Sequence, residues 1–335
     1  MGNIPLNHDA ASPEQISAEA IEADADSLYE TVMGSATPSD LNIQSRNRHF
    51  SSAAIDRRYW VGGDPYATAF FNALSITFPK GETFFIKVLQ QYRDDAPEKL
   101  RREISGFVRQ EAVHSREHLF FNKQLEQSGY DTSRLDKTLT DVLDRIGQMS
   151  QTEQLVATTC LEHLTAIMAA EYIANPRHLR DADAEQRKMW LWHASEEIEH
   201  KGVAYDTWLH ATRDWSRTKR WLTKSVFMTR ISLSFAKNRF KGALDLLRQD
   251  GVSDLRARLG ILRYAFVKPG LLRHVFWPWM QFFLPGFHPW NKDDRHLIQL
   301  AESEYEAAIM DQPKVAETVA VMDKHQNSVP VIKVA

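Results

Sequence analysis

Apolar side chains recur at every third or fourth position from Tyr66 to about Ala265, and Gly and Pro are sparse in this stretch. That spacing is the period of amphipathic helices, whereas a strand would alternate apolar and polar positions. No alternation along the chain is long enough to build a sheet. The pattern predicts an all-α protein with helices over 66–78, 82–95, 97–128, 135–149, 152–174, 183–211, 216–248, 254–266, 269–283 and 294–310.

Shifts in charge divide the chain into segments. Residues 1–40 hold eight acids and no Lys or Arg, whereas 213–273 hold fifteen Lys or Arg against four acids. Such asymmetry is typical of an interaction surface or of an internal electrostatic match. We predict an acidic, mobile N-terminal arm over 1–44, a helical bundle over 45–212, a basic and aromatic helical extension packed on it over 213–310, and a C-terminal tail over 311–335.

Two copies of Glu-x-x-His lie in the predicted helices, Glu111 with His114 and Glu197 with His200. Side chains three residues apart on a helix point the same way, so each copy can offer a carboxylate and an imidazole to one interior point. Apolar and aromatic residues flank both copies. Either copy alone would be interpreted as part of a solvent-exposed helix face. Because apolar residues flank both copies, we expect both to face the core.

Two further acids, Glu82 and Glu162, lie in separate predicted helices. Taken alone, Glu82 is an acid in the first turn of a helix that follows Pro79-Lys80-Gly81, and Glu162 is an exposed position on an amphipathic helix. In chain order, however, the four segments match the ligand inventory of dinuclear sites in ferritin-like four-helix bundles. Four carboxylates also balance two divalent cations. The sequence therefore predicts a ferritin-like bundle with additional C-terminal helices and two metal ions held by Glu82, Glu111, His114, Glu162, Glu197 and His200.

Two more histidines share the same helical faces. His193 precedes Glu197 by four residues, and His118 follows His114 by four. We predict His193 as a further metal ligand and leave His118 open as a ligand or as a partner of one, since core histidines are otherwise hydrogen-bonded structural residues. Acids that could orient the ligand imidazoles, or simply form an exposed acidic face, are Glu117, Glu196 and Glu199. Catalytic roles are predicted for Glu111, Glu197 and His193.

Several longer motifs surround these residues. They are Gly63-Asp64-Pro65, 70–75, 78–82, 110–118, Leu161-Glu162-His163, 192–201 and 285–290. In these motifs the chain resembles the family of predicted metal-dependent hydrolases, over about residues 45–295. The resemblance implies a metal-dependent enzyme.

A second resemblance is narrower and concerns the order of the predicted ligands. Glu82, Glu111 with His114, Glu162, and then His193, Glu197 and His200 repeat the ligand order of the di-iron arylamine N-oxygenases, including their additional histidine one turn before the second Glu-x-x-His. This similarity implies an oxygen-activating centre rather than a hydrolytic one. Only ligand order and spacing match, so it implies nothing about the substrate.

Carboxylate and imidazole ligands suit iron or manganese, and the only cysteine, Cys160, excludes cysteine-rich zinc ligation. We predict a pair of iron ions, with manganese or a mixed iron and manganese pair as alternatives. The leading hypothesis is a non-haem, carboxylate-bridged di-iron oxidase or oxygenase that uses O2 and an electron donor to oxidise a small organic substrate. A metal-dependent hydrolase that uses the same dinuclear site stays open, as does non-enzymatic iron binding.

The basic extension interleaves cations with aromatic residues over 213–248 and 276–290. The favoured interpretation is that the aromatics are core and that the cations are solvated or matched to the acidic arm. Peripheral contact with an anionic membrane is the alternative. Nucleic acid is not predicted, because no recognised nucleic-acid motif accompanies the charge. Without a secretory signal or an apolar stretch of ~18 residues we expect a cytoplasmic protein, and a homodimer stays open.

Overall fold

The structure is a computed structural model that describes residues 34–50 and 57–310. The predicted all-α class is confirmed: the described residues form helices and one isolated bridge between Val61 and Ala182, and no strand. The helices are α1 (Pro65–Ser75), α2 (Phe78–Arg93), α3 (Glu98–Gln127), α4 (Ser133–Gly147), α5 (Gln151–Ala174), α6 (Ala184–His200), α7 (Val203–Ala211), α8 (Arg217–Gln249), α9 (Asp254–Phe266), α10 (Leu271–Gln281) and α11 (Arg295–Met310).

The predicted start of the second helix at residue 82 was wrong. Helix α2 begins at Phe78 and includes Pro79, so Glu82 lies beyond its first turn. Proline is tolerated at this point because the first amide groups of a helix have no intrahelical acceptor.

The predicted helix over 183–211 is two helices, α6 and α7, which meet at Lys201 and Gly202. A Cβ added to Gly202 would lie 2.7 Å from the indole nitrogen of Trp290. The Lys201 ammonium also reaches away from the helix to Asp294, at 2.5 Å. The break thus coincides with contacts to residues about ninety positions later, which a local apolar pattern does not record.

The described part of the N-terminal segment lies against the bundle. The Lys99 ammonium donates to the carbonyls of Ser35 and Thr37, and the amide of Ala36 donates to Asp206 at 3.2 Å. Most of the predicted arm, residues 1–33, lies outside the described residues, as does the predicted tail over 311–335.

Four helices, α2, α3, α5 and α6, bring the predicted ligands together. Helix α2 packs on α3, and α5 packs on α6. Helix α5 begins with a capping box, in which Ser150 and Glu153 each satisfy the other's backbone amide. The C-terminal helices cover this group: α8 contacts α1 and α5, α10 contacts α5, and α11 contacts α6. That this arrangement is ferritin-like stays a prediction.

The buried polar layer lies between two apolar clusters. On α3, Ile104 and Phe107 belong to one cluster, and Phe121 and Leu125 belong to the other. The polar residues 110–118 occupy the turns between them. Each fully buried Ile, Leu or Phe contributes about 1.5–3 kcal/mol relative to exposure. Both clusters therefore stabilise the helices that carry the polar layer and keep bulk water away from it.

Candidate metal centre

Seven carboxylate and imidazole side chains meet inside the four helices, and none is more than 5% exposed. They are Glu82 on α2, Glu111 and His114 on α3, Glu162 on α5, and His193, Glu197 and His200 on α6. We call this set the Glu/His cluster. The structure thus brings together all seven residues that the sequence predicted as ligands; that they bind metal stays a prediction.

One group of the cluster joins the two Glu-x-x-His pairs. One ligand atom from each of Glu111, His114, Glu197 and His200 lies within 4.8 Å of the others. Nε2 of His200 lies 3.2 Å from Oε1 of Glu111 and 3.9 Å from Oε1 of Glu197. First-row metals bind nitrogen and oxygen at about 2.0–2.2 Å. The four donor atoms are therefore about as far apart as the ligands of one ion. Small side-chain movements would bring all four to bonding distance of that ion.

A second group lies beside the first. Donor atoms of Glu82, His114 and His193 also lie within 4.8 Å of one another. Nε2 of His193 is 3.7 Å from Oε1 of Glu82 and 2.9 Å from Oε1 of Glu197. His114 belongs to both groups, and its ring centroid lies 4.1 Å from that of His193. Two adjacent positions for a cation follow from this overlap.

Glu162 lies on the far side of His200. Its Oε2 atom is 3.2 Å from Nδ1 of His200. Neither oxygen of Glu162 has a hydrogen-bond partner among the described residues. Glu162 therefore lies next to His200 of the second Glu-x-x-His, and Glu82 lies in the same way next to His193.

Unpartnered atoms are concentrated in the cluster. Among the described residues, 21 buried side-chain nitrogen and oxygen atoms have no hydrogen-bond partner, and nine of them belong to the cluster. Leaving a buried polar atom unpaired costs about 1–3 kcal/mol, and more when it is charged. These nine atoms are both oxygens of Glu111 and Glu162, one oxygen each of Glu82 and Glu197, Nδ1 of His114, and both ring nitrogens of His200. All are atoms that bind metals, so the donor set fits the two cations that the sequence predicts.

Three acids of the cluster have raised pKa values. Burial raises the pKa of Glu111 and that of Glu162 to about 8, and it raises the pKa of Glu82 as well. Neighbouring carboxylates add to the effect, because like charges in a low-dielectric site oppose ionisation. These acids therefore retain their protons to higher pH than an exposed Glu does, and binding of cations would release them.

Glu197 and His200 form the ionised part of the cluster. Burial disfavours both charges, but the close contact with His193 and the nearby imidazoles lower the pKa of Glu197 to about 2. The carboxylates of Glu162, Glu197 and Glu111 raise the pKa of His200 to about 10. Glu197 and His200 therefore carry opposite charges within the cluster, with 3.9 Å between Oε1 and Nε2.

An acid outside the cluster, Glu196, holds the imidazole of His114 in place. Oε2 of Glu196 lies 2.9 Å from Nε2 of His114, so it can fix the ring with Nδ1 directed toward the cluster. The Glu196 carboxylate in turn accepts from the indole of Trp192 at 3.1 Å and from the backbone amide of Arg46 at 2.9 Å. The Arg46 guanidinium also contacts Glu199. Partners of this kind orient ligands and raise their basicity.

The histidine left open, His118, contacts a cluster residue without joining either group. Its Nε2 lies 2.7 Å from Nδ1 of His193, and its Nδ1 lies 2.8 Å from the hydroxyl of Ser75. The Ser75 hydroxyl donates to Asn122 at 2.7 Å, which leaves its oxygen free to accept. His118 can then donate to Ser75 and accept from His193. In that tautomer Nε2 of His193 carries no proton and could bind a cation beside Glu82 and Glu197.

Glu117 lies away from the cluster. Its carboxylate accepts from the backbone amide of Phe50 at 2.8 Å and from the Arg116 side chain at 2.7 Å. It therefore ties the N-terminal segment, including His49 at 3.6 Å, to α3 rather than orienting an imidazole of the Glu/His cluster.

Three residues that contact the cluster or the acids beside it were not predicted from the sequence. Ser115 donates to Glu82 at 2.8 Å, Gln110 donates to Glu199 at 2.7 Å, and Arg46 binds the two acids that face the cluster's outer side. Ser115 and Gln110 lie within one residue of the first Glu-x-x-His, so their helical positions were a usable signal. Arg46 had no such signal, because its partners lie about 150 residues away.

The described residues contain no helix with enough length and apolar character to cross a bilayer. A family model described as predicted metal-dependent hydrolase matches residues 44–293, a range that contains the whole Glu/His cluster. No curated protein and no solved structure matches the chain.

Proposed function

The chain belongs to the family of predicted metal-dependent hydrolases, and on this premise we propose that it is an enzyme that hydrolyses a small organic substrate at a centre of two metal ions. The observation that carries the proposal is the set of nine unpartnered donor atoms in the Glu/His cluster. Divalent ions would provide the missing partners, and four carboxylates would neutralise two such ions.

The Glu/His cluster offers ligands for two ions. Glu82, His114 and His193 would hold one ion, and Glu162 with His200 would hold the other. Glu111 and Glu197, one from each Glu-x-x-His pair, would complete the ligand set, whose residue types match those of other dinuclear bundles. When bound, the two ions would polarise a carbonyl or phosphoryl oxygen and lower the pKa of a water molecule.

Protein groups hold the imidazoles in position beside this centre. The contacts from His193 through His118 to Ser75 can keep the ring of His193 protonated at Nδ1, so that its Nε2 atom is free to bind an ion. Cys160 has no nucleophilic role here, because burial raises the pKa of its thiol.

Oxidation of an organic substrate by O2 at a pair of iron ions is the second candidate. The ligand set favours it: four carboxylates and two imidazoles from four helices are typical of di-iron and di-manganese bundles, and His193 adds a third imidazole. It would need an electron donor as well as the substrate. Family membership favours hydrolysis, and the ligand set favours oxygen chemistry.

The two reactions differ in their need for oxygen. Protein purified without added metal would first be analysed for metal content, then loaded separately with ferrous, manganous or zinc ions. Each form would be assayed on carboxylic and phosphoric esters with and without air, while oxygen uptake is recorded. The hydrolase proposal expects ester cleavage that is equal under both atmospheres and absent in Glu111→Gln.

The control variant is Glu103→Gln, which removes another buried acid of α3 outside the cluster. It should keep the activity of the wild-type protein. Substrate-dependent oxygen uptake without ester cleavage would contradict hydrolysis and support the second candidate. Metal binding with neither activity would leave non-enzymatic iron binding as the function.

A further inference from the structure

A partly open cavity of about 80 Å³ lies between α2, α4, α5 and α8. A site for one water needs roughly 10–15 Å³ by this kind of measure, so the cavity has room for a small organic molecule. Most of its wall is apolar: Phe78, Phe85, Leu139, Val142, Leu143, Ile146, Leu161, Ile231 and Phe235. An organic ligand with a hydrocarbon body fits this lining better than a cluster of waters does.

The cavity reaches the Glu/His cluster at two points. Glu82 lines it directly. Phe78 also lines it, and the Phe78 ring centroid lies 4.7 Å from the centroids of both His118 and His193. A molecule in the cavity would therefore lie next to the proposed centre.

A buried cation without an anionic partner lines the same cavity. Arg239 is 9% exposed, and its Nη1 donates to the carbonyl of Ala73 and to the hydroxyl of Thr77 at 2.8 Å. Its Nε has no hydrogen-bond partner, and no described carboxylate forms an ion pair with it. Burial lowers the pKa of Arg239 to about 10, which still leaves it charged near neutral pH. A buried unpaired charge is costly, and most buried charges in proteins are paired.

We propose that this cavity binds a small apolar carboxylic acid, with the carboxylate paired to Arg239 and the hydrocarbon body against the apolar wall. A guanidinium presents donors in a planar fork that matches a carboxylate. Among the described residues, Arg239 is the only cation that lines the cavity, and Glu82 is an acid that also lines it. The single positive charge of Arg239 therefore compensates the one negative charge of a carboxylate, but not the two negative charges of a phosphate dianion. The claim that the substrate of the metal centre binds in this cavity rests on the proposed function. The claim that the cavity binds a carboxylic acid does not.

Calorimetric titration of metal-free, full-length protein tests the assignment. The probes are benzoate and hexanoate, with benzamide and hexanol as neutral counterparts and phenyl phosphate as the alternative anion. We expect a carboxylate to bind at least about tenfold more tightly than its neutral counterpart, a difference of about 1.4 kcal/mol. Arg239→Met should abolish that preference, and Lys237→Met, which removes an exposed cation from the same helix, should keep it.

A second variant protects the test against misfolding of Arg239→Met. Leu143→Trp fills the cavity and retains the arginine, so it should also prevent binding. Absence of binding by both carboxylates, equal binding of the neutral compounds, preference for phenyl phosphate, or retained binding in both variants would overturn the assignment. Carboxylate binding without any turnover would refute the proposed function alone, and turnover without carboxylate binding would refute the cavity assignment alone.

A second inference rests on the outer surface of the C-terminal helices. Of the seventeen large apolar side chains that are exposed among the described residues, fourteen lie within 221–284. They form stripes at helical spacing on α8 (Leu222, Val226, Leu233), α9 (Leu255, Leu259, Leu262, Phe266) and α10 (Leu272, Phe276, Met280), beside the exposed Trp277. We call these stripes the apolar face. The interpretation that the late aromatics are core therefore holds for Phe282, which is fully buried, but not for Phe276 or Trp277, which are 54% and 66% exposed.

Unpaired cations accompany these stripes. Helix α9 contacts both α8 and α10, so the three helices form one continuous part of the surface. The exposed cations without a carboxylate partner among the described residues include Arg230, Lys237, Arg256, Arg263 and Lys268. Apolar stripes combined with Lys and Arg are typical of helices that lie in a membrane interface.

We infer that the apolar face docks on a membrane surface that contains anionic lipid. Each Lys or Arg near such a surface contributes roughly 1 kcal/mol, in addition to burial of the apolar side chains. A second copy of the chain is a poorer partner, because the net charge of +11 over 213–273 would face the same charge. The acidic residues of 1–33 are a competing occupant, and the experiment includes them.

Vesicle flotation of the full-length protein tests this inference. We expect flotation with vesicles that contain phosphatidylglycerol, weaker flotation at high salt, and little with phosphatidylcholine alone. The variant Phe276→Ser with Trp277→Ser should lose most of the binding. The control Leu119→Ser, an exposed leucine away from the apolar face, should keep it.

Equal flotation with both lipids, equal loss in the control, or no flotation would overturn the inference. Flotation only after deletion of residues 1–33 would also overturn it, since the acidic segment would then be the occupant. Retained metal content in the serine variants shows that they are folded.

Discussion

Nε2 of His118 lies 2.7 Å from Nδ1 of His193, and both rings are buried. Burial, together with each ring's neighbouring histidines, lowers the pKa of both imidazoles, so the pair is neutral near pH 7 and shares a single hydrogen bond. The contact decides which nitrogen of His193 is protonated and therefore whether its Nε2 can bind a cation. His118 thus acts on the proposed centre through His193.

Replacing His118 by Phe removes this hydrogen bond and keeps the volume of the site filled. We expect His118→Phe to bind two metal ions per chain with affinity lower by about 10–100-fold, since lost partners of metal-bound histidines have this effect. Competition with a chromogenic chelator measures it. Asn122→Ala, which disturbs only the far end of the contact chain, should have a smaller effect. Loss of one whole equivalent of metal would instead make His118 a ligand itself.

Glu196 has the same relation to His114, with a distance of 2.9 Å between Oε2 and Nε2. The variant Glu196→Gln removes the negative charge that favours the orientation of that ring, so metal affinity should fall by about tenfold or more. Glu302→Gln is the matched control, because Glu302 contacts the outer side of Arg46 and not His114. An equal loss of metal affinity in both variants would mean that the loss comes from disturbing the N-terminal segment, and not from losing the contact between Glu196 and His114.

The acid Glu111 should have opposite effects on the metal-free and metal-loaded protein. In Glu111→Gln a buried acid without a hydrogen-bond partner is replaced by a neutral group, so the metal-free variant should be at least as stable as the metal-free wild type. The wild type should gain about 2.7 kcal/mol at a metal concentration of 100 times Kd, and the variant much less. Thermal unfolding with and without chelator measures both, and Glu103→Gln should follow the wild type. A similar gain in Glu111→Gln would contradict its role as a ligand.

Lys224 gives a test of pH dependence away from the cluster. Its ammonium donates to the carbonyls of Phe282 and Leu284, and burial lowers its pKa to about 8. The unfolded chain, with the ordinary Lys pKa, therefore binds more protons between the two values, so stability rises with pH there. Charges and rings that face it come from Cys160, Tyr205 and Phe287 on the neighbouring segments.

Relative to Lys224→Met, the wild-type protein should gain about 2 kcal/mol of unfolding free energy between about pH 7.5 and pH 10. Urea unfolding of both proteins at the two pH values measures the difference. A constant difference would mean that the ammonium is as well solvated in the folded protein as in the unfolded chain.

Local spacing predicted the helices and the cluster because both depend on the same 3.6-residue period. The i, i+3 relation of Glu111 and His114 survives in the structure, as does the face shared by His193, Glu197 and His200. Contacts between distant segments left no local signal. The close approach at Gly202 involves Trp290, and the hydrogen bonding of Glu196 involves Arg46.

The central claim is that two metal ions occupy the Glu/His cluster. Crystals of the full-length protein, loaded with manganous or ferrous ions, would be measured on either side of the metal's absorption edge. We predict two anomalous peaks, one beside Glu82, His114 and His193 and one beside Glu162 and His200, with Glu111 and Glu197 completing the ligand set. Fully loaded crystals with no peak among these residues, or with metal bound only at surface acids, would contradict the account.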